Sequence, residues 1–230
     1  MEVPFFPMNV VESWTSPSGY FAAALVSHLP DQIGGTRYVY SSNSLFALFA
    51  GRPFIWIGDS ADGRRPLDPS FYLGASHTEL IALDGRFVAA RYDDRRRLLE
   101  VITDRMGAYP VFETRFSEAC LISNNAELLR RIRGTREMSL TSLSGILGGG
   151  WPLDGDPMWS DVHRVAGGGV RRVGTDGLSP PEKLPEDEPA ALHGSGFRPD
   201  RAARLLIESV RALADWPGRP SVVPVTAGRD

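Results

Sequence analysis

"LDGRFVAARYDDRRRLLEVIT", residues 83–103, is the stretch on which the fold turns. Two runs rich in β-branched and aromatic residues flank Tyr92-Asp93-Asp94-Arg95, a composition that favours a tight reversal because Asp side chains bond nearby backbone amides. Phe87, Val88, Ala89 and Ala90 are apolar in succession, as are Val101 and Ile102, so both faces of these strands need cover. Outward from this pair, "RYVY", "PFIWIG", "YPVFET", "ACLIS" and "GGVRRV" repeat the pattern, and Gly174-Thr175-Asp176-Gly177 is a second reversal. Apolar spacing near 3.6 predicts helices over 41–50, 126–132 and 139–147. The expectation for residues 1–178 is two packed sheets flanked by helices, an α+β sandwich.

Composition narrows the function classes. The 230 residues are 42% hydrophobic and 23% charged, enough to bury a sizeable core. The formal charge of −3 speaks against a nucleic-acid partner, which would call for a basic domain. No run approaches the roughly 20 apolar residues of a membrane span, and "MEVPFFPMNVV" has no basic segment of the secretory kind. The single cysteine, Cys120, forms no internal disulfide and suits a reducing cytoplasm. His28, His77, His163 and His193 stand far apart, without the short ligand spacings of a zinc site.

Beyond residue 178 the character changes. Residues 179–196, "SPPEKLPEDEPAALHGSG", are rich in Pro, Glu, Asp and Gly and are predicted to be a linker. Pro199 and Asp200 then sit where a first helical turn favours them. Ala202, Leu205, Leu206, Val210 and Leu213 follow as one apolar stripe. Pro217-Gly218 breaks the stripe, and an apolar run at 221–225 opens into Thr226-Ala227-Gly228-Arg229-Asp230. Helix, strand and small-residue loop form the opening of a parallel α/β domain, with its ligand loop at the strand's carboxyl end. Alone, the loop supports two readings. It is an anion nest, with the Thr226 hydroxyl and the amides of Ala227 and Gly228 on phosphate and Asp230 on magnesium, or it is an ordinary strand-to-turn junction.

The loop resembles the pyrophosphate-binding Ser-Gly-Gly-x-Asp-Ser motif of the asparagine synthetase family. Four upstream segments resemble that family in the same order. "LDGRFVAARYDD" (83–94) looks like its strand-and-turn segment, and "DRMGAYPVF" (104–112) like its Arg-Asp-x-x-Gly-x-x-Pro-Leu-Tyr segment. "CLISNNAELLRRI" (120–132) is similar to the strand and helix that normally read "ASE-x-KAL". "VHRVAGGGVRRVGTDG" (162–177) looks like the strand carrying "PAG" before the linker. The resemblance implies a glutamine amidotransferase domain of the N-terminal-nucleophile type over 1–178, a four-layer αββα sandwich. After the linker it implies the first helix and strand of an ATP-pyrophosphatase-type α/β domain over 197–230. ATP and Mg²⁺ would be the cofactors, held here by Thr226, Ala227, Gly228 and Asp230.

In active members a cysteine exposed by removal of Met attacks glutamine, and its α-amine serves as base. This chain has Glu2 there, which supplies no nucleophile. Cys120 lies within an apolar strand-like run and is expected to be inert. The pair matching the family's oxyanion Asn-Gly is Ile57-Gly58, and Ile cannot donate the hydrogen bond, worth about 2.7–4 kcal/mol. "GASHTELIAL" would put His77 where a glutamine-binding Asp belongs; its other reading is a solvated loop residue. The glutaminase is therefore expected to be dead. Such a domain joined to an adenylating one resembles the β-lactam synthetases and lasso-peptide macrolactam cyclases, which activate a carboxylate with ATP and let a substrate amine attack it.

Two other readings stand beside this one: an ammonia-using asparagine synthetase, and a non-catalytic scaffold that binds a peptide or partner protein. Gly148-Gly149-Gly150 would serve the last as a loop, or is a plain turn. The expected partners are ATP and a carboxylate and amine substrate, such as a precursor peptide. The remainder of the synthetase domain is expected in the native gene or as a separate chain. The 230 residues alone are expected to turn over no ATP.

Overall fold

The computed structural model describes residues 9–27, 38–42, 44–55, 65–66, 69–76, 79–80, 83–152, 155–183, 199–200, 203–204 and 206–207. The elements in chain order begin with strands β1 (Asn9–Thr15), β2 (Ala22–Ser27), β3 (Tyr38–Ser42), β4 (Leu45–Ile55) and β5 (Arg65–Pro66), then helix α1 (Pro69–Gly74). Strands β6 (Leu83–Asp93), β7 (Leu98–Thr103), β8 (Phe112–Phe116) and β9 (Ala119–Ser123) follow. Helices α2 (Ala126–Arg133) and α3 (Leu140–Gly149) precede β10 (His163–Arg164), β11 (Gly169–Gly174), β12 (Gly177–Leu178) and β13 (Glu182–Lys183).

Residues 83–103 form the antiparallel pair β6–β7, with Asp93 opposite Leu98 and Val88 opposite Thr103. The reversal works as its composition predicts: the Asp93 carboxylate accepts the N–H groups of Arg95 and Arg96 at 3.0 and 3.3 Å. On this pair a larger antiparallel sheet is built in the order β12-β11-β7-β6-β4-β3, with β13 pairing β11 and β5 pairing β4. A second sheet has the order β10-β8-β9, and β1 and β2 form a hairpin.

Alternation along β6 sends neighbouring side chains to opposite faces. Phe87 and Ala89 join Ala47, Ile102 and Val170 in one buried cluster, covered by Phe71 and Leu73 of α1 together with Ala75, Leu80 and Leu83. Val88 joins Ala50, Val101, Val111 and Val165 in a second cluster, with Ile122 of the β10-β8-β9 sheet packed against it. The hairpin covers the same face further along, where Trp14 stacks on Phe46 at 4.8 Å and Phe21 on Tyr92 at 4.5 Å. Each large apolar side chain so buried contributes about 1.5–3 kcal/mol before entropic costs. The described chain is thus α+β and sheet-rich, with α1 on one face of the larger sheet and strands on the other.

Two of the three helices predicted from apolar spacing form. α2 is started by Asn125, whose side chain accepts the Leu128 N–H, and closed by Gly134 at φ 76°. It buries Leu129 and lies against β8 and β9. α3 is started by Ser139 and closed by Gly150 at φ 84°. The third, over 41–50, is a correction: Ser42 pairs with Leu45 across a reversal between β3 and β4. Phe46 and Ala47 are both buried, on opposite faces of the sheet. A run apolar on both faces fits either period, and pairing with β3 and β6 selects the strand.

The chain stays on the sheet as far as Lys183, inside the stretch whose composition predicts a linker, because Glu182 and Lys183 pair with Val170 and Gly169. Pro199, Asp200, Ala203, Arg204, Leu206 and Ile207 are helical, in line with the predicted helix start. Among the described residues, no helix is long and apolar enough to cross a membrane.

Candidate functional site

The polar chemistry of the described residues concentrates where β7 runs out into the loop at 104–111. Asp104 is 1% exposed. One carboxylate oxygen accepts the N–H groups of Met106 and Ala108 at 3.1 and 2.8 Å, and the other accepts that of Tyr109 at 2.8 Å. Its carbonyl accepts the N–H groups of Gly107 and Gly168, both near 2.9 Å. Thr103 adds a bond from its hydroxyl to the Ala166 carbonyl at 2.8 Å. One Thr-Asp pair therefore fixes the loop that follows it and joins it to residues 166–169, more than sixty positions later.

Close approach completes the junction. Gly107 has φ 59°, and a Cβ on Gly167 would lie 2.7 Å from the Gly107 Cα, against backbone that cannot rotate away. Arg164 reaches the Gly107 carbonyl at 2.6 Å, while its own N–H is held by Asp156 at 2.7 Å. His163 meets the other Asp156 oxygen at 3.1 Å.

Adjacent arginines on β11 leave the sheet on opposite faces. Arg171 makes a two-pronged ion pair with Glu113 of β8, tying the larger sheet to the smaller one. Arg172 pairs with Glu100 of β7 at 2.8 Å and with Glu182 of β13. Glu100 also pairs with Arg91 of β6, whose guanidinium donates to the Ala75 carbonyl at 2.8 Å. Burial disfavours the charge on Glu100, but the Arg172 and Arg91 guanidiniums outweigh it and hold the carboxyl below its ordinary value.

Cys120 lies on β9, partly buried, opposite Arg115. Burial, followed by the negative charge of Glu113, pushes its thiol up to about 11. The thiolate fraction at pH 7 is then on the order of one part in ten thousand, so the side chain is no nucleophile. Ser76 and Glu79 form a reciprocal cap: the Ser76 N–H and hydroxyl both reach the Glu79 carboxylate, and the Ser76 hydroxyl accepts the Glu79 N–H. These hydrogen bonds hold the Glu79 carboxyl below its ordinary value.

The other expected site residues, Glu2, Ile57, Gly58, His77, Thr226, Ala227, Gly228 and Asp230, lie outside the described residues. No group of three or more His, Cys, Asp or Glu among the described residues could hold a metal ion. The junction around Asp104 was not singled out as a site by sequence; the Asp-x-x-Gly spacing at 104–107 and the run Gly167-Gly168-Gly169 were its visible signals. Chemically, the junction is an arrangement of acceptors already committed to backbone donors. It positions strands and does not offer a base.

No known protein family matches the chain, and no curated protein does. Among the solved structures that match is glutamine phosphoribosylpyrophosphate amidotransferase from B. subtilis, complexed with ADP and GMP. This chain is 10% identical to it with a TM-score of 0.37, and the match covers 72% of this chain and 35% of that one. The chain spans about a third of that protein's length.

Proposed function

We propose that residues 1–178 are a glutamine amidotransferase-like domain that has kept its scaffold and lost its thiol chemistry. In this reading the domain is a four-layer αββα sandwich, and residues 197–230 open an ATP-dependent, asparagine synthetase-like domain that forms an amide bond. The observation that carries the reading is the junction at Asp104. Two of the segments that resemble the family, 104–112 and 162–177, are fastened to each other by the Asp104 carbonyl, the Thr103 hydroxyl and the Gly107–Gly167 approach. A fold can retain such a junction after its catalysis has gone, because its groups serve the backbone alone.

The missing chemistry is argued from residue types. Glu2 offers no thiol or hydroxyl, and Cys120 is kept protonated within β9. The amine that attacks the activated carboxylate would then come from the substrate, giving a lactam or macrolactam. ATP with Mg²⁺ supplies the adenylating power when bound. The Thr226 hydroxyl, the amides of Ala227 and Gly228, and Asp230 would hold the pyrophosphate and the metal.

Exchange of labelled pyrophosphate into ATP by the complete protein tests this. Exchange that requires the carboxylate substrate and neither ammonia nor glutamine is expected. Exchange that appears only when ammonia is supplied would establish the ammonia-using synthetase instead.

A further inference from the structure

α3 is built inside out. Its buried positions are Ser142 and Gly145, and it contains no charged residue. On the opposite side Leu140 is 80% exposed and Leu147 79% exposed, with Leu143 between them half-buried. Leu140, Leu143 and Leu147 are spaced i, i+3 and i+7, so they form one stripe along the helix. Trp151, 67% exposed, and Met138 extend the apolar surface at the two ends. Surface helices bury their apolar stripe; one that buries its smallest residues and shows its leucines has a face made to be covered.

The chain carries a second apolar face of the same kind. In sequence, Ala202, Leu205, Leu206, Val210 and Leu213 recur at helical spacing after Pro199; of these, Leu206 is among the described residues and is 66% exposed. We propose that this stripe docks on α3, covering Leu140, Leu143 and Leu147 and seating the start of the second domain on the first.

Tether length favours this occupant over a second copy of the chain. Roughly fifteen residues separate Lys183 on the sheet from Pro199, and a tether of that length spans between about 20 Å as a flexible coil and about 45 Å fully extended as polyproline II. It holds the two faces at an effective concentration in the millimolar range, far above any working concentration of a second copy. The face on α3 carries no charge, so the docking is apolar and insensitive to salt. The inference rests on the exposed stripe of α3, the apolar spacing after Pro199 and the tether, and it holds whether or not the second domain binds ATP.

Hydrogen exchange on the 230-residue chain tests it. Leu147→Asp should speed exchange at least tenfold in residues 199–213 and leave β6 and β7 as protected as in the parent. Leu206→Asp should do the same to residues 140–151. A Leu147→Cys/Leu206→Cys pair should form an intramolecular disulfide in dilute solution. Unchanged exchange in 199–213 with Leu147→Asp and no intramolecular disulfide would overturn the docking. Protection of α3 that vanishes on dilution, with a dimer that Leu147→Asp dissociates, would assign the face to a second copy and equally overturn it.

Discussion

Two glycine triplets, Gly148-Gly149-Gly150 and Gly167-Gly168-Gly169, read alike in sequence and do opposite work. At the first, an added Cβ meets nothing within 4 Å at any of the three positions. At the second, an added Cβ on Gly167 meets Gly107 and Met106 backbone, one on Gly168 lies 3.2 Å from the Arg105 carbonyl, and one on Gly169 lies 3.1 Å from the Glu182 carbonyl. The first triplet ends a helix whose apolar side faces outward; the second lets two distant segments touch through backbone. Locked junction and open face are therefore distinguished by what surrounds each glycine, which composition does not reveal.

The contrast is easiest to break at Gly167. Gly167→Ala forces backbone apart at the Asp104 junction and should cost about 3 kcal/mol, the upper end for an overpacked site; a denaturant titration would show it as a lower midpoint. Asp104→Asn places an amide nitrogen against one of three backbone donors and should cost about 2 kcal/mol by the same measurement. Equal stability of either variant and the parent would mean that the junction is not what fastens 104–112 to 162–177.

Charge sharpens the same division. Glu100 is buried between Arg91 and Arg172, and its carboxyl is held below the ordinary 4.5. The folded form therefore binds its proton less readily than the unfolded form. Its contribution is full above about pH 4.5 and is lost as pH falls through the lower folded value. Glu100→Gln should lower stability at pH 7 by about 1–2 kcal/mol and flatten its decline in acid. Glu127 on α2 is held down at about 2 by Arg130 and Arg131. Its side chain is 43% exposed, so solvent screening reduces its effect on stability to a few tenths of a kcal/mol. Stability curves against pH for Glu100→Gln and Glu127→Gln should separate the two.

An effect of the opposite sign is expected at the open triplet. Gly148 lies inside α3 with free space around it, so Gly148→Ala should stabilise by about 0.5–1 kcal/mol through helix propensity alone. A rise in thermal midpoint would show it; a fall would mean that the segment docked on α3 reaches Gly148 itself.

The sheet was legible where local chemistry and tertiary packing agree. Leu98–Thr103 and Ala119–Ser123 match the runs "LLEVIT" and "ACLIS" residue for residue, because apolar content and flanking turns point one way and, in Leu98–Thr103, successive buried residues add to them. The stretch at 41–50 misled because its apolar residues suit either period, and pairing with Ala89 and Val88 decides the outcome. The junction was only half legible. Asp104 and Gly107 carry a spacing that marks a turn, yet nothing local shows that Gly167 will close on it from across the chain. The inverted polarity of α3 was hidden for the same reason, since a Leu, Ser and Gly helix does not declare which side it buries until its neighbours are placed.

The loss of thiol chemistry is the claim most open to direct attack. Incubating the protein with L-glutamine and with a diazoketone analogue of glutamine, while following glutamate release and intact mass, measures it. The account predicts no glutamate above the buffer blank and no covalent adduct, with Cys120 unmodified. Glutamate release together with an adduct on any residue of 1–178 would contradict it.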